Sequence, residues 1–127
     1  MGFGIFFDTT LIRRSEHRRL DDLLQGQLGV AVSPQRAGDG GRYILSGRRR
    51  AIDGTLNCYM QFYLDGIAIG RGGVAGVSPI SPVSTGMFPL SSVEKVEVYR
   101  SAAEVPPEYG GASAGCGVVL IWSRRGP

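Results

Sequence analysis

The chain has 127 residues and a mass of 13.6 kDa, with 43% hydrophobic and 20% charged residues. Length and balance fit one domain around one core and exclude general disorder, while its longest apolar runs, such as Val118–Trp122, fall far below the ~18–20 residues of a transmembrane helix. The net charge of +3 is uneven, with 9 Lys/Arg against 5 Asp/Glu in residues 1–50 and 5 against 6 in residues 51–127, which is too mild for the dense basic face of a nucleic-acid binder.

Twenty glycines and seven prolines favour strands joined by loops over a helical bundle. Phe3, Ile5 and Phe7 alternate with Gly4 and Phe6, which predicts a short first strand. Asp8, Thr9 and Thr10 are helix-capping types, so a helical turn is expected over Leu11–Arg14. Ser15 is read as the cap of a second helix over Glu16–Gln25. Its apolar face is Leu20, Leu23 and Leu24, and Arg18, Arg19, Asp21 and Asp22 take the wet face. Val30–Val32 reads as extended. Further strands are expected over Arg42–Ser46, Tyr59–Leu64, Lys95–Arg100 and Gly117–Ser123. Asp65-Gly66 signals a hairpin whose return arm is Ile67–Ile69.

Gly70–Gly86, rich in Gly, Ser and Pro, reads as a long mobile loop. Leu90–Val93 is expected to form a helical turn, and Ser101–Cys116 is irregular. The fold class is α+β: a small mixed sheet with short helices packed on it and long glycine-rich loops. The expected core is Leu20, Leu23, Leu24, Val30, Ile44, Phe62, Leu64, Val96, Val98, Val119 and Ile121. The whole chain, 1–127, is read as a single domain.

Catalytic motifs fail on context. Gly111-Ala112-Ser113-Ala114-Gly115 has the spacing of a nucleophile elbow, but that motif needs a strand before it and a helix after it. A strand follows instead, and no Asp, Glu or His comes after Ser113. Gly70–Ala75 loosely matches a dinucleotide-binding fingerprint, but Pro79 and Pro82 oppose the helix that must follow. One histidine and two cysteines do not furnish a conventional zinc site. No enzyme activity, cofactor or metal is expected. Arg48-Arg49-Arg50 reads either as a solvated loop or as a contact to an acidic surface or ligand.

Cys58 and Cys116 each directly precede a predicted strand. Two accounts stand. They are free thiols in the core, or, if the two strands are parallel neighbours, they lie within bridging range and form a disulfide in an oxidising compartment.

Taken in order, Leu20–Val32 (LDDLLQGQLGVAV), Phe62–Ile67 (FYLDGI), Val93–Ser101 (VEKVEVYRS), Tyr109-Gly110 and Gly115–Arg124 (GCGVVLIWSR) resemble the plug domain of TonB-dependent outer-membrane receptors. The plug-signature positions are Asp65, Gly66, Glu97, Arg100, Tyr109, Gly110 and Gly117. Leu28, Ser46 and Ser101 stand where that family usually has proline, arginine and glycine, and Cys116 replaces a glycine. A cysteine there, paired with one ahead of the LDG strand, looks like a subfamily with a stapled core.

The resemblance implies a gate. It would sit inside an outer-membrane barrel, reach the periplasm, help bind a transported substrate, and be displaced by TonB. Arg48, Arg49 and Arg50 would be barrel or ligand contacts. The partners implied are the barrel, TonB and a substrate, with no nucleic acid. No TonB-box-like segment precedes Phe3 and no barrel strand follows Pro127, so the chain is expected to be either an excised plug or a stand-alone plug-like interaction module. In the second case, lacking a secretory signal, it would be cytoplasmic.

Overall fold

A computed structural model of the chain describes residues 4–34, 36–47, 57–77, 79–101, 103–110 and 112–124. Asp8 starts the first helix: its carboxylate accepts the Leu11 N–H at 2.9 Å, leading strand β1 (Ile5–Phe7) into helix α1 (Thr9–Arg14). Arg13 and Arg14 close α1 where its dipole favours cations. Helix α2 spans Leu20–Gln25, shorter than the Glu16–Gln25 expected. Ser15 ends α1 rather than starting α2. Glu16, His17 and Arg18 offer no apolar side chain to bury, so the helix begins only where Leu20 reaches the core.

Among the described residues the strands form two sheets, where the sequence reading expected one. Strands β2 (Val30–Val32), β3 (Ile44–Ser46), β4 (Cys58–Tyr59) and β7 (Gly73–Val74) form an antiparallel sheet in the order β2-β3-β4-β7. Strands β5 (Gln61–Leu64), β6 (Ile67–Ile69), β8 (Val93–Tyr99) and β9 (Val118–Ser123) join β1 in the order β1-β8-β9-β5-β6. The β5–β9 pair is parallel, with Gln61 opposite Val118, and the other pairs are antiparallel.

The expected Tyr59–Leu64 strand therefore breaks at Met60, and its two halves belong to different sheets. The cause is the close approach of Gly72, where a Cβ would lie 2.7 Å from both the Tyr59 carbonyl oxygen and the Gln61 nitrogen. The Arg42–Ser46 strand pairs with β2 and β4 instead of joining the larger sheet.

The helices and the smaller sheet cover one face of the larger sheet. Ten of the eleven expected core residues are buried, and Leu64 packs half-buried against them. The core also takes Ile12 from α1, Met60 at the crossing and Phe88, whose ring stacks on Phe62 at 5.7 Å. The other face carries a smaller cluster of Tyr99, Ala114, Val118 and Leu120, edged by Tyr63, Tyr109 and Trp122. Val118 through Ile121 are consequently buried on both faces, which explains their unbroken apolar run.

Two further expectations need correction. Asp21, assigned to the wet face of α2, is only 2% exposed, because Arg19, Arg36 and Arg42 surround it at 3.5, 3.6 and 3.7 Å. Gly70–Gly86 is not a structureless loop. It contains β7, a bridge between Arg71 and Ser81, and a 3-10 turn, Thr85–Met87, tied to Arg42 by the Thr85 N–H at 2.9 Å.

This packing makes a paired prediction. Leu24→Ala should cost ~2–5 kcal/mol, the usual range for a buried leucine that leaves a cavity. Leu28→Ala, at a residue 81% exposed, should stay within ~0.5 kcal/mol of wild type. Urea titration of both variants checks this, and an equal loss at the two positions would contradict the assignment of core and surface.

Candidate functional site

The sequence-predicted residues that the structure describes gather around the crossing between the sheets and along β8 and β9. Cys58 and Cys116 form a disulfide with their Cα atoms 5.3 Å apart, and both are buried. The parallel β5–β9 register brings them together: each cysteine lies just ahead of one of these neighbouring strands. Gln61 lies at the same crossing, 3% exposed, and sequence reasoning did not single it out. Its side-chain amide donates to the Phe62, Ile69 and Gly70 carbonyls at 2.9, 3.0 and 3.3 Å, and its oxygen accepts the Gly72 N–H at 3.0 Å. A glutamine between apolar neighbours in a predicted strand was the available signal.

Asp65-Gly66 makes the hairpin turn, with φ of 50° and 88°, the left-handed pair that a two-residue turn of this kind requires. The Asp65 carboxylate also accepts the Ser123 N–H at 2.9 Å and the Ser123 hydroxyl at 2.6 Å. The turn thereby holds the C-terminal end of β9. At the other end, Gly117 has φ of 99°, and a Cβ there would lie 2.6 Å from the Tyr99 carbonyl oxygen. No larger residue fits the bend that feeds β9 between its neighbours.

Glu97 accepts hydrogen bonds from the Trp122 indole at 2.6 Å and the Tyr99 hydroxyl at 2.7 Å, and Lys95 stands 5.4 Å over the Trp122 ring. Burial and the Glu97 carboxylate push the Tyr99 phenol well above its ordinary range. Arg100 forms a two-point pair with Glu104, with nitrogen–oxygen distances of 3.2 and 2.7 Å, and donates to the Leu28 carbonyl at 3.3 Å. Its hydrogen bonds to Glu104 hold its guanidinium charged more firmly than usual. Arg100 thus ties the end of β8 to the turn between α2 and β2. Tyr109 ends a 3-10 turn, Pro107–Tyr109, and its ring meets Tyr63 edge-on at 4.9 Å. Gly110 follows in an extended conformation, with φ of −73°. Arg48, Arg49 and Arg50 lie outside the described residues.

Away from this frame, the loops form a groove of about 430 Å³ bordered by Tyr43, Ile69, Pro82, Val83, Ser84 and Met87. Asp39 stands at its edge. The Gly41 N–H and the Ser84 hydroxyl bond to its carboxylate and hold it below the ordinary carboxylate range. Ser113 belongs to a 3-10 turn, Ala112–Cys116, that runs into β9, and the Gly70–Ala75 glycines lead into β7; neither has the following helix its motif needs. Among the described residues, no group of three or more His, Cys, Asp or Glu could hold a metal ion, and no helix is long and apolar enough to cross a membrane.

The small α+β domain and its Cys58–Cys116 staple are what the plug resemblance implied, and the grip of Asp65 and the bend at Gly117 on β9 are added by the structure. The family profile of the TonB-dependent receptor plug domain matches residues 7–116, and the chain belongs to that family. No curated protein matches the chain. The family places it in the context of an outer-membrane receptor and its barrel.

Gly117→Ala should destabilise the fold by more than the ~1–2 kcal/mol of left-handed strain alone, because the new methyl also meets the Tyr99 carbonyl. Gly26→Ala has open space around its Cβ and φ of −82°, so it should be neutral or slightly stabilising. Thermal melts of the two variants compare them directly. Tyr99 gives a separate expectation. A phenol whose folded pKa is raised supports the fold below about pH 10, its unfolded value, and loses that support as pH rises further. Stability measured from pH 8 to 11 should fall more steeply in wild type than in Tyr99→Phe; parallel curves would contradict it.

Proposed function

We propose that this chain is the gate of a TonB-dependent outer-membrane transporter. As a single domain it occludes the barrel lumen, contributes to substrate binding, and is displaced from the periplasmic side by TonB. The observation that carries the reading is the family match over residues 7–116. Compatible with it are a central strand β9 paired on both edges and charged side chains exposed elsewhere on the domain. Arg19 and Arg36 expose close to half of their side chains beside the buried Asp21. Such a surface can meet a hydrated barrel wall and still slide, whereas a dry apolar interface could not.

In this reading the groove beside Tyr43, Ile69 and Met87 faces the substrate side, and Arg48, Arg49 and Arg50 contact the barrel wall or the ligand. The protein works without catalysis in this reading: no Asp, Glu or His follows Ser113 in the sequence, and a strand rather than a helix comes after its turn. An esterase panel should give no turnover above Ser113→Ala.

The test uses the complete reading frame that contains the chain. Where it encodes a barrel, deleting residues 4–124 should admit vancomycin-sized antibiotics that the intact receptor excludes, since a barrel of about 22 strands leaves an open lumen. Substrate uptake by the intact receptor should stop in cells without TonB. A frame that encodes no barrel would overturn the transporter reading in favour of a stand-alone interaction module.

A further inference from the structure

Cys58 and Cys116 divide the chain into two mechanical parts. The segment ahead of Cys58 carries β1, α1, α2, β2 and β3. The interval between the cysteines, a separation of 58 residues, carries β5, β6, β7 and β8, and β9 begins directly after it. The bridge closes that interval into a loop that tension on the chain ends cannot lengthen, because load arriving at Cys58 passes directly to Cys116.

We propose that the disulfide is a mechanical stop: when the chain is pulled from its N-terminal side, the segment ahead of Cys58 peels away, and the body of β5, β6, β8 and β9 stays folded. This inference rests on the reading of the chain as a gate that is drawn open.

The two parts differ in how they resist. The N-terminal segment holds on through β1, a three-residue edge strand on β8, and through the pairing of Leu45 with Tyr59. Single bonds add to this: Met60 N–H to the Ile44 carbonyl at 3.0 Å, Thr85 N–H to the Arg42 carbonyl at 2.9 Å, the Thr9 hydroxyl to Glu94 at 2.7 Å, the Ser84 hydroxyl to Asp39 at 2.7 Å, Arg100 to the Leu28 carbonyl at 3.3 Å and the Arg124–Glu16 pair at 2.9 Å. Helices α1 and α2 have six residues each, too few to persist once their apolar faces leave the core.

Beyond the bridge the geometry changes. Load enters β9 at its N-terminal end from Cys116 and leaves past Ser123, so it runs along a strand paired on both edges, with β8 and β5. Both points of load then lie at the ends of β9 itself, which is already extended, and β5, β6 and β8 lie off the load path, so tension has little length to gain by breaking their ladders. The asymmetry also provides recoil. Departure of α1 and α2 uncovers Phe62, Val96, Val98, Val119 and Ile121, and reburying that face favours closure when tension ends. In a receptor, the passage opened would be limited to the space the N-terminal segment had filled, and reduction would remove the limit.

Single-molecule pulling of the chain by handles at its two ends tests this. The oxidised chain should show a low-force step of about 200 Å, the length of the segment ahead of Cys58 at roughly 3.5 Å per residue. The remaining body should then hold. Dithiothreitol added at clamped force should release a further length of about 200 Å, the interval the bridge had sealed. The double variant Cys58→Ser/Cys116→Ser, where it folds, should extend without the stop. An oxidised chain that gives way in one event including β9, or a clamped body that gains no length with reductant, would overturn the inference. Neither TonB nor a barrel is present, so failure here leaves the plug assignment standing, and a failed antibiotic-exclusion test leaves the stop standing.

Discussion

The crossing at Met60 is the constraint on which the rest of the molecule depends. A single extended run leaves the four-stranded sheet at Tyr59 and enters the five-stranded sheet at Gln61, so both sheets are positioned by the same few residues. Three interactions fix it. The Cys58–Cys116 disulfide ties the run to the start of β9. The Gln61 side chain ties the crossing to the returning chain, donating to the Ile69 and Gly70 carbonyls and accepting the Gly72 N–H. Gly72 lets the returning chain pass where no Cβ fits. A chain-entropy estimate for a closed loop of this size gives about 4 kcal/mol, a large share of the ~5–15 kcal/mol by which a domain of this size is stable.

The signature residues act as a frame around β9. Asp65-Gly66 holds one end of the strand, and Gly117 bends the chain into the other. Glu97 gathers Trp122 and Tyr99 on one face, and Arg100 carries the connection outward through Glu104 and the Leu28 carbonyl. A strand buried on both faces and gripped at both ends is a stiff element, and the segments around it are short and held mainly by packing. That contrast suits a domain that we propose opens in part and closes again.

Much of this was legible in the sequence because its signals are local. Alternation in Val96 and Val98, the Leu20/Leu23/Leu24 spacing and the Asp-Gly turn each have one physical reading, and the structure agrees with them. The spacing of Cys58 and Cys116 left free thiols and a bridge both open, the plug resemblance implied the bridge, and the parallel β5–β9 register places the two together. What was not legible depends on distant partners. Asp21 looked solvated because its neighbours in sequence are charged, yet two of the arginines that allow its burial, Arg36 and Arg42, come from beyond β2. The split at Met60 is imposed by Gly72, eleven residues after Gln61. Gly70–Gly86 resembled a free loop in composition, but its order comes from Arg42 and Tyr43.

The central claim is that the disulfide at the crossing holds the two sheets as one unit. The most direct measurement takes native protein produced in the periplasm, labels it with an alkylating agent, determines its intact mass, and compares urea unfolding with and without reductant. The account predicts no alkylation before reduction, two alkylated cysteines after it, and a loss of about 4 kcal/mol on reduction. Two freely alkylated thiols in the native protein, or superimposable unfolding curves, would contradict it.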